Sequence, residues 1–146
     1  MRAILRCGRR AAWVLVAVMI LGAPLALQAQ DQTLASNVQI PRGVLANGQP
    51  LPAGTYTIRL SAEPVTPVVG QSEDSARWVE FVQNGQVRGK ELATVVAPAD
   101  VKVVAKRTPP AQGRGLVQML RGDEYVRIWV NHEGTQYLIH LARAAS

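Results

Sequence analysis

The sequence predicts an all-β fold: a single antiparallel β-sandwich or small barrel of about seven or eight short strands, preceded by a signal-peptide helix. Three observations lead there. From Val38 onward, short β-rich runs alternate with Gly, Pro and Asn. No amphipathic helical window exceeds about two turns. The first 29 residues carry the three-part pattern of a secretory address.

That address comes first in the chain. Arg2, Arg6, Arg9 and Arg10 precede an apolar run from Ala11 to Leu21, then Gly22, Pro24 and a small-residue stretch ending at Ala29. Cleavage after Ala29, with Leu27 at the −3 position, would leave 117 residues. An uncleaved membrane anchor is the competing reading, but the apolar stretch is short of the roughly 20 residues that cross a bilayer. Arg9-Arg10 also admits a twin-arginine signal, although the strongly apolar run favours the general secretory route. Cys7, the only cysteine, lies before that run and so is not placed to carry a lipoprotein anchor. The exported part then has no thiol, which excludes cysteine catalysis and cysteine metal ligands. Residues 30–36 are expected to be a flexible N-terminus and 37–146 the β domain.

Export changes the meaning of the charge. The whole chain has 16 Lys+Arg against 10 Asp+Glu and a net charge of +6, a balance that by itself points to nucleic acid or an anionic surface. Four of the basic residues belong to the signal and none of the acids does, so residues 30–146 keep 12 basic against 10 acidic groups. Nucleic acid is therefore not an expected partner. The membrane is one only through an uncleaved signal.

The candidate strands are Val38–Leu45, Thr55–Ser61, Arg77–Gln83, Gln86–Val96, Val101–Lys106, Leu116–Leu120, Tyr125–Asn131 and Thr135–Ala142. The last two form a hairpin around Glu133-Gly134 that sets Val130 opposite Tyr137, Ile128 opposite Ile139 and Val126 opposite Leu141. That face must be core. The other face pairs Trp129 with Leu138 and Arg127 with His140, with Tyr125 alongside. A second hairpin turns at Asn84-Gly85, with Val82 opposite Val87 and Phe81 opposite Arg88; alternation leaves its buried side open. Two long connections, Ala62–Ala76 and Thr108–Gly115, carry Pro64, Pro67, Pro109 and Pro110.

Between the first two strands, Asn47-Gly48 makes a turn, Pro50 and Pro52 hold the chain extended, and Gly54 admits a bend before Thr55, with Tyr56 and Ile58 on one side. The segment Leu51-Pro52-Ala53-Gly54-Thr55-Tyr56 resembles a stretch of uncharacterised exported bacterial β-domains, in the style of transthyretin-like and carboxypeptidase-regulatory-like sandwiches. The resemblance implies a sandwich and carries no catalytic residue.

Few side chains are spaced for chemistry. His132 and His140, eight apart across a hairpin, lie roughly 13 Å from each other at ~3.3 Å per residue, too far to share one metal ion. No serine lies in a Gly-x-Ser-x-Gly elbow. The acid pairs Glu73-Asp74 and Asp123-Glu124 read as solvated turns, and Arg121-Gly122-Asp123 as turn chemistry between two strands. Lys102, Lys106, Arg107 and Arg114 make a modest basic cluster, which could favour anionic polysaccharide or lipid headgroups but reads first as a solvated edge strand blunted by lysine. No cofactor and no metal are expected.

The expectation is a small exported, non-enzymatic binding or assembly module of the bacterial cell envelope, periplasmic, outer-envelope or extracellular. Its partner is an envelope protein or a polysaccharide. The candidate contact surface is Tyr125, Arg127, Trp129, Leu138 and His140, because aromatic groups with an arginine mark contact surfaces. The competing view of that strip is a second core face covered by the other sheet. One functional alternative is a carbohydrate-binding module that stacks sugars on Trp78 or Trp129. Another is a small secreted hydrolase, which requires a concave pocket with two converging titratable groups.

Overall fold

The computed structural model describes residues 32–104 and 107–145. The expected signal peptide lies outside the described residues. In chain order the elements are β1 (Thr33–Ile40), β2 (Val44–Ala46), β3 (Gln49–Leu51), β4 (Gly54–Leu60), β5 (Ala76–Gln83), β6 (Gln86–Val96), α1 (Val101–Val104), β7 (Gly115–Leu120), β8 (Tyr125–His132) and β9 (Thr135–Arg143). The fold is all-β and antiparallel.

Strict alternation along β8 and β9 produces the central hairpin, whose turn residues Glu133 and Gly134 take φ of 51° and 82°. Val130 faces Tyr137, Ile128 faces Ile139 and Val126 faces Leu141, and all six are buried. Each such aliphatic side chain stabilises the fold by about 1.5–3 kcal/mol relative to exposure. From this hairpin one continuous sheet extends in the order β7, β8, β9, β6, β5, β4, β1. The β2–β3 hairpin joins β9 at Ala142 and Arg143, beyond the stretch Gln136–Ile139 that pairs with β6.

The sheet rolls on itself until its two end strands, β1 and β7, pack together, so its halves face each other across one core. Gly115 permits that closure, since a Cβ at this position would stand 2.7 Å from Val38 Cγ2. Tyr56 and Phe81 meet edge to face inside, with ring centroids 6.2 Å apart.

The entry corner at Leu51–Tyr56 has a structural task. Leu51 and Tyr56 are both buried, and the Tyr56 hydroxyl donates to the Pro52 carbonyl at 2.8 Å, closing the bend from β3 into β4. A tyrosine that bonds backbone a few residues upstream fixes a corner in this way in sandwich folds. Ahead of it, Asn47 and Gly48 (φ 48° and 76°) form the two-residue turn of the β2–β3 hairpin.

Four expectations are corrected. The segment 30–36 is not a flexible tail where it is described: β1 begins at Thr33, and Leu34 and Ala35 are buried. Two register shifts against β4, with Asn37 at φ 56°, break the alternation that would have announced the strand. Val38–Leu45 is two strands, because the chain leaves β1 at Pro41-Arg42-Gly43 and re-enters as β2. Val101–Lys106 is no strand in its described part: Val103 and Val104 donate to the Asp100 carbonyl, and the turn α1 folds back over the sheet. Finally, Phe81 pairs with Gly89, not Arg88. Phe81 is on the core face, where a guanidinium opposite it would be buried without a partner. The bulge sets Arg88 aside and brings in a glycine whose Cβ would already crowd Ala46 and Leu51 at 3.3 Å.

Candidate functional site

The expected strip Tyr125, Arg127, Trp129, Leu138 and His140 does share the outer face of β8 and β9, since Trp129 pairs with Leu138 and Arg127 with His140. The structure divides it in two. Trp129 is 1% exposed and Leu138 4%, packed with Val96 beneath Val101 of α1 and Leu116 of β7. The Trp129 indole N–H donates to the Gln136 side-chain oxygen at 2.7 Å, so its one polar atom is satisfied internally. These two residues are corrected from surface to core. An apolar row on the outer face attracts a cover, and the chain supplied its own in the segment after β6.

The lower half remains open. On β7, Gln118 stands opposite Arg127, and its side-chain oxygen accepts from both Nε and Nη2 of that arginine, at 2.9 and 2.6 Å. The pair fixes a half-buried guanidinium against the sheet. Cross-strand from it, His140 is exposed and has no hydrogen-bond partner among the described residues. Partial desolvation, and then the Arg127 charge, push the His140 pKa below its usual value, which favours a neutral imidazole at neutral pH. Tyr125 is 37% exposed. The Arg121 guanidinium stands 5.9 Å from its ring centroid, within cation–π range.

A shallow depression of about 380 Å³ opens here, lined by Leu120, Arg121, Tyr125 and His140. Gln118, Leu120 and Arg121 join the strip here, and none of them is part of the contact surface expected from the sequence. The signal that would have found them is the β7–β8 register: with Leu120 opposite Tyr125, alternation puts Gln118 and Leu120 on the outer face.

The other singled-out residues have local partners. Arg121, Gly122 and Asp123 all have positive φ (50°, 59° and 74°) and form the β7–β8 turn. The Asp123 carboxylate is held by Arg42 at 3.2 Å. Asp74 pairs with Arg77 at 2.8 Å. His132 meets the Gln32 side chain at 2.8 Å. It lies five register positions from His140, and among the described residues no three His, Cys, Asp or Glu side chains are gathered for one metal ion. Trp78 is half-buried, and the Lys90 ammonium stands over its ring at 5.0 Å from the centroid while also pairing with Glu63. Of the basic cluster, Lys102 belongs to α1 and Lys106 lies outside the described residues.

Compared with protein-family models, with curated proteins and with solved structures, the chain gives no match in any of the three.

Proposed function

We propose that this domain is an exported, non-enzymatic binding or assembly module of the bacterial cell envelope that meets its partner through the lower outer face of β7, β8 and β9. The observation that carries this reading is the grouping of Tyr125, Arg127 and His140 on one sheet surface. The aromatic is accessible, the guanidinium is held by Gln118, and the imidazole is unbonded among the described residues. Groups on strands keep their geometry better than groups on loops, so such a surface loses little entropy on binding. The signal pattern of residues 1–29 supports export, as does the resemblance of Leu51–Tyr56 to exported β-domains.

The test is retention of the full chain on purified bacterial sacculi and outer-membrane fractions. The wild-type chain should be retained, and Tyr125→Ser and His140→Ser should each lose at least tenfold in affinity with an unchanged Tm. Equal retention of both variants, or no retention of the wild type, contradicts the reading.

The carbohydrate-binding alternative now rests on Trp78, because Trp129 has no face to offer. It requires Lys90 to leave the Trp78 ring, and predicts that Trp78→Ala, not Tyr125→Ser, abolishes retention.

A further inference from the structure

The net positive charge of the described residues lies at one end of the domain. Arg42, Arg121, Arg127 and Arg143 lie around the β7–β8 turn and the end of β9, with Asp123 and Glu124 among them. Asp123 is already paired with Arg42. Everywhere else among the described residues, seven basic side chains are matched by seven acidic ones. The small excess of positive charge is therefore local, and it lies beside the proposed contact surface.

The same end has a distinctive relief. The depression of about 380 Å³ shares Tyr125 with a second, of about 460 Å³, lined by Glu124, Ala142 and Arg143. That one shares Arg143, Ala144 and Ala145 with a third, of about 410 Å³, which reaches Arg42. Backbone bonds from Arg143 N–H to the Glu124 carbonyl (2.8 Å) and from Ala144 N–H to the Gly43 carbonyl (3.2 Å) hold the floor. Each hollow thus has a guanidinium on its lining, and Tyr125 stands between the first two.

We infer that these three adjoining hollows receive a linear anionic polysaccharide, a sugar chain with carboxylates at intervals. The inference rests on the binding-module reading above and names its ligand class. Guanidinium groups are matched to carboxylates in shape and charge, and Arg121 and Arg143 on neighbouring hollows fit a polymer whose charges repeat. The Tyr125 ring, over which the Arg121 guanidinium stands at 5.9 Å, gives the apolar face of a sugar a surface to stack on once that guanidinium turns to a carboxylate. Glu124 lines the second hollow and opposes an anion there, and the Asp123 carboxylate is paired with Arg42.

The experiment is calorimetric titration of the full chain with polygalacturonate, set against dextran, poly-L-glutamate and phosphatidylglycerol vesicles. Polygalacturonate should bind, with an affinity that falls steeply as salt is raised. Arg121→Gln and Arg143→Gln should each weaken it at least tenfold, while Arg77→Gln, away from the hollows, leaves it unchanged. Dextran binding as well as polygalacturonate, poly-L-glutamate or vesicles binding as tightly, or indifference to both arginine substitutions overturns the inference. If polygalacturonate fails while Tyr125-dependent retention on envelope fractions persists, the anionic chain is excluded and the binding-module reading stands. Failure of both removes both.

Discussion

The Trp129 indole N–H and the Gln136 side-chain carbonyl, 2.7 Å apart and both buried, mark where core ends and surface begins on the outer face of the β8–β9 hairpin. Above them α1 covers the sheet. Below them Arg127, His140 and Tyr125 stay accessible.

Gln136→Leu leaves the indole N–H buried and unpaired, a loss of about 1–3 kcal/mol. Chemical unfolding of this variant should show that loss. Trp129→Phe, which removes the donor, should make a following Gln136→Leu substitution cost less. Independent, additive effects in the double-substitution cycle would show that the bond contributes nothing.

Tyr56→Phe keeps the buried ring and removes only the hydroxyl that donates to Pro52. Stability should fall by about 1 kcal/mol, read as a lower denaturant midpoint with unchanged slope. An unchanged midpoint would mean that the corner is fixed by Pro52 and Gly54 alone.

At the seam between the end strands, Gly115→Ala would drive a methyl to 2.7 Å from Val38 Cγ2. Overpacking of this kind costs typically about 1–3 kcal/mol. Adding Val38→Ala should recover part of that loss, although either substitution alone destabilises. A Gly115→Ala variant as stable as the wild type would show that β1 and β7 have room to separate.

His140 makes stability depend on pH in a defined direction. Its folded pKa is lowered by desolvation and by Arg127. The Arg121 guanidinium lines the same depression as His140. As pH falls through the unfolded value near 6.5, the unfolded chain takes up a proton that the folded chain refuses. Stability is therefore lost on acidification below about pH 6.5, and above that the group contributes nothing. Unfolding measured from about pH 7.5 to about pH 5 should show this slope, flattened in His140→Gln. The same slope in both proteins would assign it to other groups.

Much of the sheet was legible because its strands alternate. Val126, Ile128 and Val130 fix the pairing with β9, and the Glu133-Gly134 turn fixes its register. Where alternation fails, so did the reading. The Asn37 bulge hid the start of β1, and the bulge at Arg88 moved a charge off the core face. Val101–Val104 has strand-like composition, but it forms the turn α1, whose Val101 packs against Trp129. The contact strip was half legible for a related reason. Register shows that five residues share a face, but not that a later segment folds back over two of them. Leu120 and Arg121 are hidden in the sequence because only the pairing of Leu120 with Tyr125 sets them beside the strip.

The proposed meeting place with the partner is the lower outer face of β7, β8 and β9. Amide hydrogen exchange of the full chain, with and without the envelope fraction that retains it, tests this most directly. Binding there slows exchange at Gln118–Arg127 and at His140–Arg143 and leaves the residues around Trp78 unchanged. Protection confined to β5 and β6 near Trp78, or no protection in the β7–β9 region, would contradict it.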